Sequence, residues 1–383
     1  MPLKLHTDFL GGNGRLLGVE EAGARAVVRF AAEPRNCPLA LWFHFRVTGL
    51  GERGARCVLA NAAQTLGGED WSNNRLVWRA PGRPWTRTGL PERLDAPGGL
   101  VEWAWDLPPD GDEAELAVCF PYQLADLQAT LAELAGTFRA ATVGLTPHGR
   151  ELVRVFSDEG GPAKPAVFLT ARHHAGETPG SWALDGLLRH VATTPRLLAA
   201  ATWWAVPFVD LDDAAEGSYG KDPAPKDCNR AYGPGGPTRS EAAAVITDVR
   251  RLQKRCELRF FADLHAPSHH EQTVYVPIRG WTVDSPINPI GEAFAERLCA
   301  RVPEDIRSPI AHVLPAPSSN PFVGFSSTRW AKEVAGVDAA CVEFSYQGNG
   351  AKAYTLGDYH RLGAALAETL AEWVACHNQN CRK

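Results

Sequence analysis

Four short stretches hold residue types that could do hydrolytic chemistry. In Ala171-Arg172-His173-His174-Ala175-Gly176-Glu177-Thr178, His174 and Glu177 stand three apart, between a short apolar run and a helical pattern. Imidazole and carboxylate at that spacing can ligate one divalent metal, and both suit zinc. Alone, such a pair is more often a solvated turn, and His173 is a rival at a spacing of four. The second stretch, Arg259-Phe260-Phe261-Ala262-Asp263-Leu264-His265, reads as an apolar strand ending in a histidine. Two strands delivering ligands to one sheet edge fit a catalytic zinc held by His174, Glu177 and His265, with an open fourth position. His269 and His270 are nearby alternatives, but they lie past Pro267 in a loop, where exposure is expected. The third stretch is Cys341-Val342-Glu343-Phe344-Ser345, a lone glutamate in an apolar strand. Burying a carboxylate is costly unless it is paired or functional, so beside a zinc site Glu343 reads as a general base. The fourth is Lys226-Asp227-Cys228-Asn229-Arg230, where Asn229 and Arg230 together can hold a carboxylate.

The elements around these stretches fall into two textures. Up to about residue 120 the apolar residues alternate, as in Leu41, Phe43, Phe45, Val47 and in Val101, Trp103, Trp105, Leu107. Further strand candidates are 26–30, 57–60, 75–78 and 116–120, separated by Gly/Pro turns, which suggests an all-β sandwich. After Tyr122 strands and helices alternate: strands at 167–170, 202–208, 258–264 and 340–345, helices over 182–191, after Thr238, and over the last apolar stretch to Trp373. Thr178 is the expected cap of the first of these helices, and Thr238 with Glu241 forms a capping-box pattern for the second. This alternation predicts an α/β domain with a mixed, mainly parallel sheet covered by helices on both faces. The expected domains are therefore a β-sandwich over 1–121 and a catalytic domain over 122–383.

Composition narrows the partners. The 383 residues carry 39 basic and 44 acidic side chains, and no Lys/Arg block stands out, which argues against nucleic acid. No apolar run approaches the ~18 residues of a membrane span, and the first residues lack the apolar core of a signal peptide. Nine cysteines spread from Cys37 to Cys381 read as free thiols in a reducing cytoplasm.

Taken in chain order, His174/Glu177, Asp227/Asn229/Arg230, His265 and Glu343 resemble the motifs of the zinc metallocarboxypeptidase family, and in particular its cytosolic carboxypeptidase branch. Phe120-Pro121-Tyr122-Gln123-Leu124-Ala125-Asp126-Leu127-Gln128 and Asp263-Leu264-His265 look like that branch's corresponding segments, and the branch also carries a β-sandwich ahead of its catalytic domain. The resemblance implies one zinc ion bound by His174, Glu177 and His265. It implies that Glu343 activates water and then protonates the leaving amine, and that Asn229 and Arg230 grip the C-terminal carboxylate of a peptide or protein. Asp227 would hydrogen-bond His174 and fix its tautomer. Two positions depart from the pattern. Gly217-Ser218-Tyr219-Gly220-Lys221 aligns with a Gly-Asn-Tyr-Arg segment whose arginine polarises the scissile carbonyl, so Gly220 replaces that arginine and Lys221 is the expected substitute. The branch prefers acidic C-terminal residues, and Ser327-Thr328-Arg329 resembles the segment supplying its basic residue, which makes Arg329 the candidate here. Two alternatives stay open: an amidohydrolase of the same fold acting on N-acyl amino acids, and a catalytically weak peptide-binding homologue.

Overall fold

Short alternating segments in the first third of the chain pair into two five-stranded sheets. The computed structural model describes residues 3–22, 25–51, 53–223, 226–278, 288–308, 313–314 and 325–376. One sheet runs Lys4–His6, His44–Thr48, Glu113–Ala117, Val77–Arg79, Thr86–Arg87, antiparallel throughout. The other runs Arg15–Ala22, Arg25–Ala31, Gly54–Leu59, Leu100–Leu107, Glu92–Ala96, with one parallel pair between its second and third members. Phe30 of the second sheet meets Phe45 of the first with ring centroids 4.7 Å apart, and Trp71 meets Trp105 edge-on at 5.9 Å. The two sheets thus pack face to face. The segment around residues 41–47 differs from its alternating pattern: Trp42 and His44 are buried as fully as Phe43 and Phe45. Its outer side is covered by the rest of the chain, where Trp42 packs against Gly176.

The six-stranded sheet that follows runs Arg139–Leu145, Glu151–Phe156, Thr202–Val206, Ala166–Ala171, Leu258–His265, Asp338–Glu343. The first two pairings are antiparallel and the last three parallel, giving the mixed, mainly parallel sheet of an α/β fold. Successive residues of each strand serve opposite faces, as the pleat requires. Val167 and Leu169 join Leu184, Leu187, Leu366 and Leu370 from helices Thr178–Thr193 and Leu356–Ala375. Phe168 and Phe261 join Val245, Val249 and Trp330 from helices Ser240–Gln253 and Ser327–Glu333 on the other face. Each such large apolar side chain contributes about 1.5–3 kcal/mol on burial. The first cluster is continuous with the sandwich core, reaching Val28 and Trp105 at one end and Val374 at the other. The stretch around residue 122 lies between strand Glu113–Ala117 and helix Leu124–Glu133, with Tyr122 packed on Trp182 and Phe208.

Two helix starts depart from the sequence pattern. Thr178 is the first residue of its helix and Glu177 precedes it, so Thr178 does not cap. The Thr238–Glu241 box does not form: the helix begins at Ser240, and Arg239 Nη2 takes Glu241 Oε1 at 2.6 Å while also reaching Asp210. In both places a buried charge found a stronger partner than a backbone N–H. No described helix is long and apolar enough to cross a membrane.

Candidate active site

Three parallel strands end at one edge and set the site. In register, Ala171 pairs with Leu264 and His265 with Glu343, so the carboxyl ends of these strands lie side by side. Ligands of open α/β sheets bind at such ends. The chain leaves Ala171 through Arg172, whose φ of 61° turns it sharply towards His173 and His174. Arg172 is buried and braces the turn, donating from Nε to Ala175 O at 2.5 Å and from Nη1 to Tyr122 O at 3.0 Å.

Glu177 is the meeting point. Its Oε1 lies 2.8 Å from His174 Nδ1 and its Oε2 lies 2.7 Å from His265 Nδ1. It also accepts from the Ala266 N–H at 3.1 Å and the Tyr219 hydroxyl at 3.3 Å. Burial alone would raise its pKa, but the two imidazoles hold it far below the usual carboxylate range. Behind each imidazole stands a second carboxylate. Asp263 Oδ2 lies 2.8 Å from His265 Nε2, and Asp227 Oδ2 lies 3.2 Å from His174 Nε2. The latter is an ion-pair contact that lacks full hydrogen-bond geometry. For His265, burial pushes the pKa down, and Asp263 and Glu177 overcome it to raise it well above the ordinary value.

Ligand atoms of His174, Glu177 and His265 lie within 4.8 Å of one another, all three residues buried. Two imidazole nitrogens and a carboxylate are the donors a catalytic zinc takes, so the residues fit the ion. His173, Asp263 and His265 form a second group within the same distance. There, however, both His173 nitrogens are engaged at 2.7 Å, Nδ1 with Asp263 Oδ1 and Nε2 with the Tyr232 hydroxyl. Asp263 additionally accepts from Thr170 Oγ1 at 2.8 Å and Ser327 Oγ at 2.5 Å.

Glu343 faces this group with one oxygen unused. Its Oε2 is buried without a hydrogen-bond partner, while Oε1 is 3.6 Å from Cys341 Sγ. Burial raises its pKa, with Glu177 adding to the shift and His265 and Lys221 opposing it. The Lys221 charge also bears on His174, so this half-buried lysine stands near both groups. Gly220 has φ +75°, and a Cβ there would sit 2.6 Å from Ala175 N. The backbone approaches too closely for an arginine at that position without a shift of the loop.

Asn229 and Arg230 sit on a single 3₁₀ turn, Cys228–Arg230, capped by Asp227, whose Oδ1 accepts the Asn229 N–H at 2.6 Å. Asn229 is engaged within the protein: Nδ2 lies 3.1 Å from His265 Nε2, and Oδ1 accepts the Ser327 N–H at 3.0 Å. Arg230 is buried and donates to Asn229 O at 3.1 Å, and burial lowers its pKa. Arg329 stands apart from the cluster. Its guanidinium is about half exposed, bonded to Glu333 Oε1 at 2.9 Å and 4.3 Å from the Phe325 ring centroid. Phe325 itself pairs through its main chain with residues 230–232. His269 is a correction: it is fully buried against Trp71, while His270 is exposed as expected. Asp263 is the site residue that sequence reasoning passed over. Its position two residues before His265 on one strand, hence on the same face, was the available signal.

Similar proteins are known. Residues 5–118 match the family model of the cytosolic carboxypeptidase N-terminal domain. Cytosolic carboxypeptidase 2 of Danio rerio is 30% identical over 222 residues, covering 50% of this chain and 31% of that protein. The metallo-carboxypeptidase of Burkholderia cenocepacia superposes with a TM-score of 0.80 over 98% of this chain and 100% of its own, at 19% identity. The metallo-carboxypeptidase of Pseudomonas aeruginosa, solved in complex with (2-guanidinoethylmercapto)succinic acid, gives 0.77 over 97% and 99%, at 21% identity. The chain thus resembles the cytosolic carboxypeptidases in sequence, matches the model of their N-terminal domain over residues 5–118, and has the fold of the bacterial metallo-carboxypeptidases. It matches less than a third of the length of that curated relative.

Proposed function

We propose that this protein is a zinc-dependent carboxypeptidase that removes C-terminal residues from peptides or proteins. The observation that carries the reading is Glu177 joined to the Nδ1 atoms of His174 and His265, with Glu343, its Oε2 unpartnered, one strand away in register. His174 Nδ1, His265 Nδ1 and Glu177 would hold the ion, and bound zinc supplies Lewis acidity. Asp263 and Asp227 orient the two imidazoles from behind. Glu343 takes a proton from the attacking water at Oε2 and passes it to the departing amine nitrogen. Asn229 and Arg230, neighbours on one 3₁₀ turn, grip the substrate's terminal carboxylate. Lys221 stands by the negative charge that grows on the scissile carbonyl oxygen, as the substitute for a donor that Gly220 cannot provide. Arg329, on the surface beside Phe325, is offered as the source of a preference for acidic C-terminal residues. The same reading takes residues 1–121 as a sandwich domain and 122–383 as the catalytic domain. It places the protein in the cytoplasm, in keeping with eight free thiols among the described cysteines.

The test is a ladder assay. Zinc-loaded protein is incubated with peptides ending in Glu, Asp, Lys, Leu and Ala, each with a free and an amidated C-terminus, and products are read by mass. Stepwise loss from free termini is expected, fastest for Glu and Asp. Equal cleavage of free and amidated peptides, or cuts only within the chain, would refute the exopeptidase. In this assay Lys221→Ala should lower kcat by ~10-fold at unchanged zinc content, less than a well-ordered oxyanion donor would cost.

A further inference from the structure

The loop 217–221 that carries Lys221 is clamped between two surfaces. On the inner side, the Gly176 N–H donates to Tyr219 O at 2.9 Å, and the Tyr219 hydroxyl donates to Glu177 at 3.3 Å. The outer side lies against the sandwich instead of solvent. Gly11 N–H donates to Ala215 O at 2.8 Å, and Asn13 Nδ2 donates to Gly217 O at 2.7 Å. Ser218 Oγ donates to Asn36 Oδ1 at 2.5 Å, while Asn36 Nδ2 donates to Asp213 Oδ1 at 2.8 Å. The Gly220 N–H donates to Cys37 Sγ at 3.2 Å. Lys221 follows at once, and the next residue, Asp222, donates its N–H to Asp227 Oδ2 at 3.0 Å. The root of the Lys221 side chain is therefore fixed on one side by the sandwich and on the other by the carboxylate behind His174.

We propose that Asn36 and Cys37 of the sandwich are positioning residues for Lys221, so that the N-terminal sheets set where its ammonium stands relative to Glu343 and His174. This rests on the hydrolytic reading of the site given above. A lysine ammonium is a point charge on a flexible four-carbon stem, and it stabilises a growing charge only if its reach is confined beforehand. Neither Asn36 nor Cys37 touches the metal-binding side chains in the contacts described. Their effect passes through the backbone of residues 218–220. Cys37 is buried and its thiol is held neutral, so its sulfur serves as a weak acceptor for an N–H.

The experiment uses the full zinc-loaded chain and three readouts: kcat and KM on a cleaved peptide, zinc content, and hydrogen exchange over 217–222. Cys37→Ala and Asn36→Ala should speed exchange in that segment and lower kcat about 5-fold, the scale of one neutral hydrogen bond, with zinc content and KM unchanged. Cys37→Ser keeps an acceptor and should recover part of the loss. In a Lys221→Ala background, Cys37→Ala should cost no further activity. Cys57→Ala, in the buried core of the sandwich, is the control for general destabilisation and should lower the melting temperature while leaving kcat and exchange at 217–222 alone. Fully multiplicative losses in the double variant, unchanged exchange in Cys37→Ala and Asn36→Ala, or an equal kcat loss in Cys57→Ala would each overturn the proposal. A wild-type protein that cleaves no peptide would instead refute the hydrolytic reading, and the exchange data would still decide whether the sandwich holds the loop.

Discussion

His265 and His269 lie four residues apart, both are buried, and their surroundings shift their pKa values in opposite directions. His265 ends its strand between Asp263 and Glu177, whose charges outweigh the burial that would otherwise lower its pKa. His269 stacks on Trp71 with ring centroids 4.0 Å apart, and its two nitrogens lie 3.1 Å from Asn74 Nδ2 and from Gly68 O. Burial pushes its pKa down to about 4. A buried histidine is thus no mark of function in itself. The partners decide: carboxylates prepare an imidazole for a cation, whereas an aromatic face and neutral amides make it a dry, uncharged wedge between two parts of the fold.

The largest effect should come from removing the first of the pair. His265→Ala is expected to lose most bound zinc and all measurable peptidase activity while staying folded, because a three-ligand site rarely survives loss of one ligand. His269→Ala should keep about one zinc per chain, as elemental analysis would show. Its cost falls on stability, about 2–3 kcal/mol for an emptied, stacked site. Stoichiometric zinc in His265→Ala, or its loss in His269→Ala, would reverse the contrast.

Glu343→Gln should retain zinc and bind peptide, yet turn over at least ~100-fold more slowly, the usual loss of a general base. Turnover near that of wild type would mean that another group takes the proton. Next in size are the partners behind each ring. Asp263→Asn should weaken zinc binding ~10–100-fold in a chelator competition, whereas Asn74→Ala should leave it unchanged.

The last contrast is a pH dependence of stability. His269 has a native pKa of about 4 against an ordinary 6.5, so the unfolded chain takes up a proton that the folded one refuses. Its contribution is complete above pH 6.5 and is lost as pH falls from there towards 4, to a maximum of ~3 kcal/mol. Urea unfolding across that range should show a shallower slope in His269→Phe, which keeps the stacking and cannot titrate. An identical slope in both proteins would mean that His269 titrates alike in the native and unfolded chain.

Much of this arrangement is legible in the sequence because it rests on period and position. The apolar runs before His174 and His265 and around Glu343 announce parallel strands, and strand ends are where such sheets place chemistry. What the sequence conceals depends on contacts across long separations. The spacing around Thr178 and Thr238 matches a cap, but Glu177 and Arg239 are drawn to buried charges instead. Asn229 reads as a substrate donor, and nothing local reveals that its Oδ1 also accepts the N–H of Ser327, 98 positions away. His269 follows a proline in a polar stretch, and nothing local reveals that Trp71 covers it. The strand Arg15–Ala22 escapes notice because its Leu-Leu-Gly-Val-Glu-Glu core does not alternate.

The bond between Gly220 and Cys37 spans 183 residues, and that separation has a meaning in time. During synthesis the last sandwich strand leaves the ribosome about 100 residues ahead of the loop, which at roughly 5–20 residues per second is on the order of five to twenty seconds. All-β domains of this size fold in roughly milliseconds to seconds. If the sandwich folds as it emerges, the surface formed by Gly11–Asn13 and Asn36–Cys37 is complete before the residues it grips have been made, and the loop is cast against a finished mould.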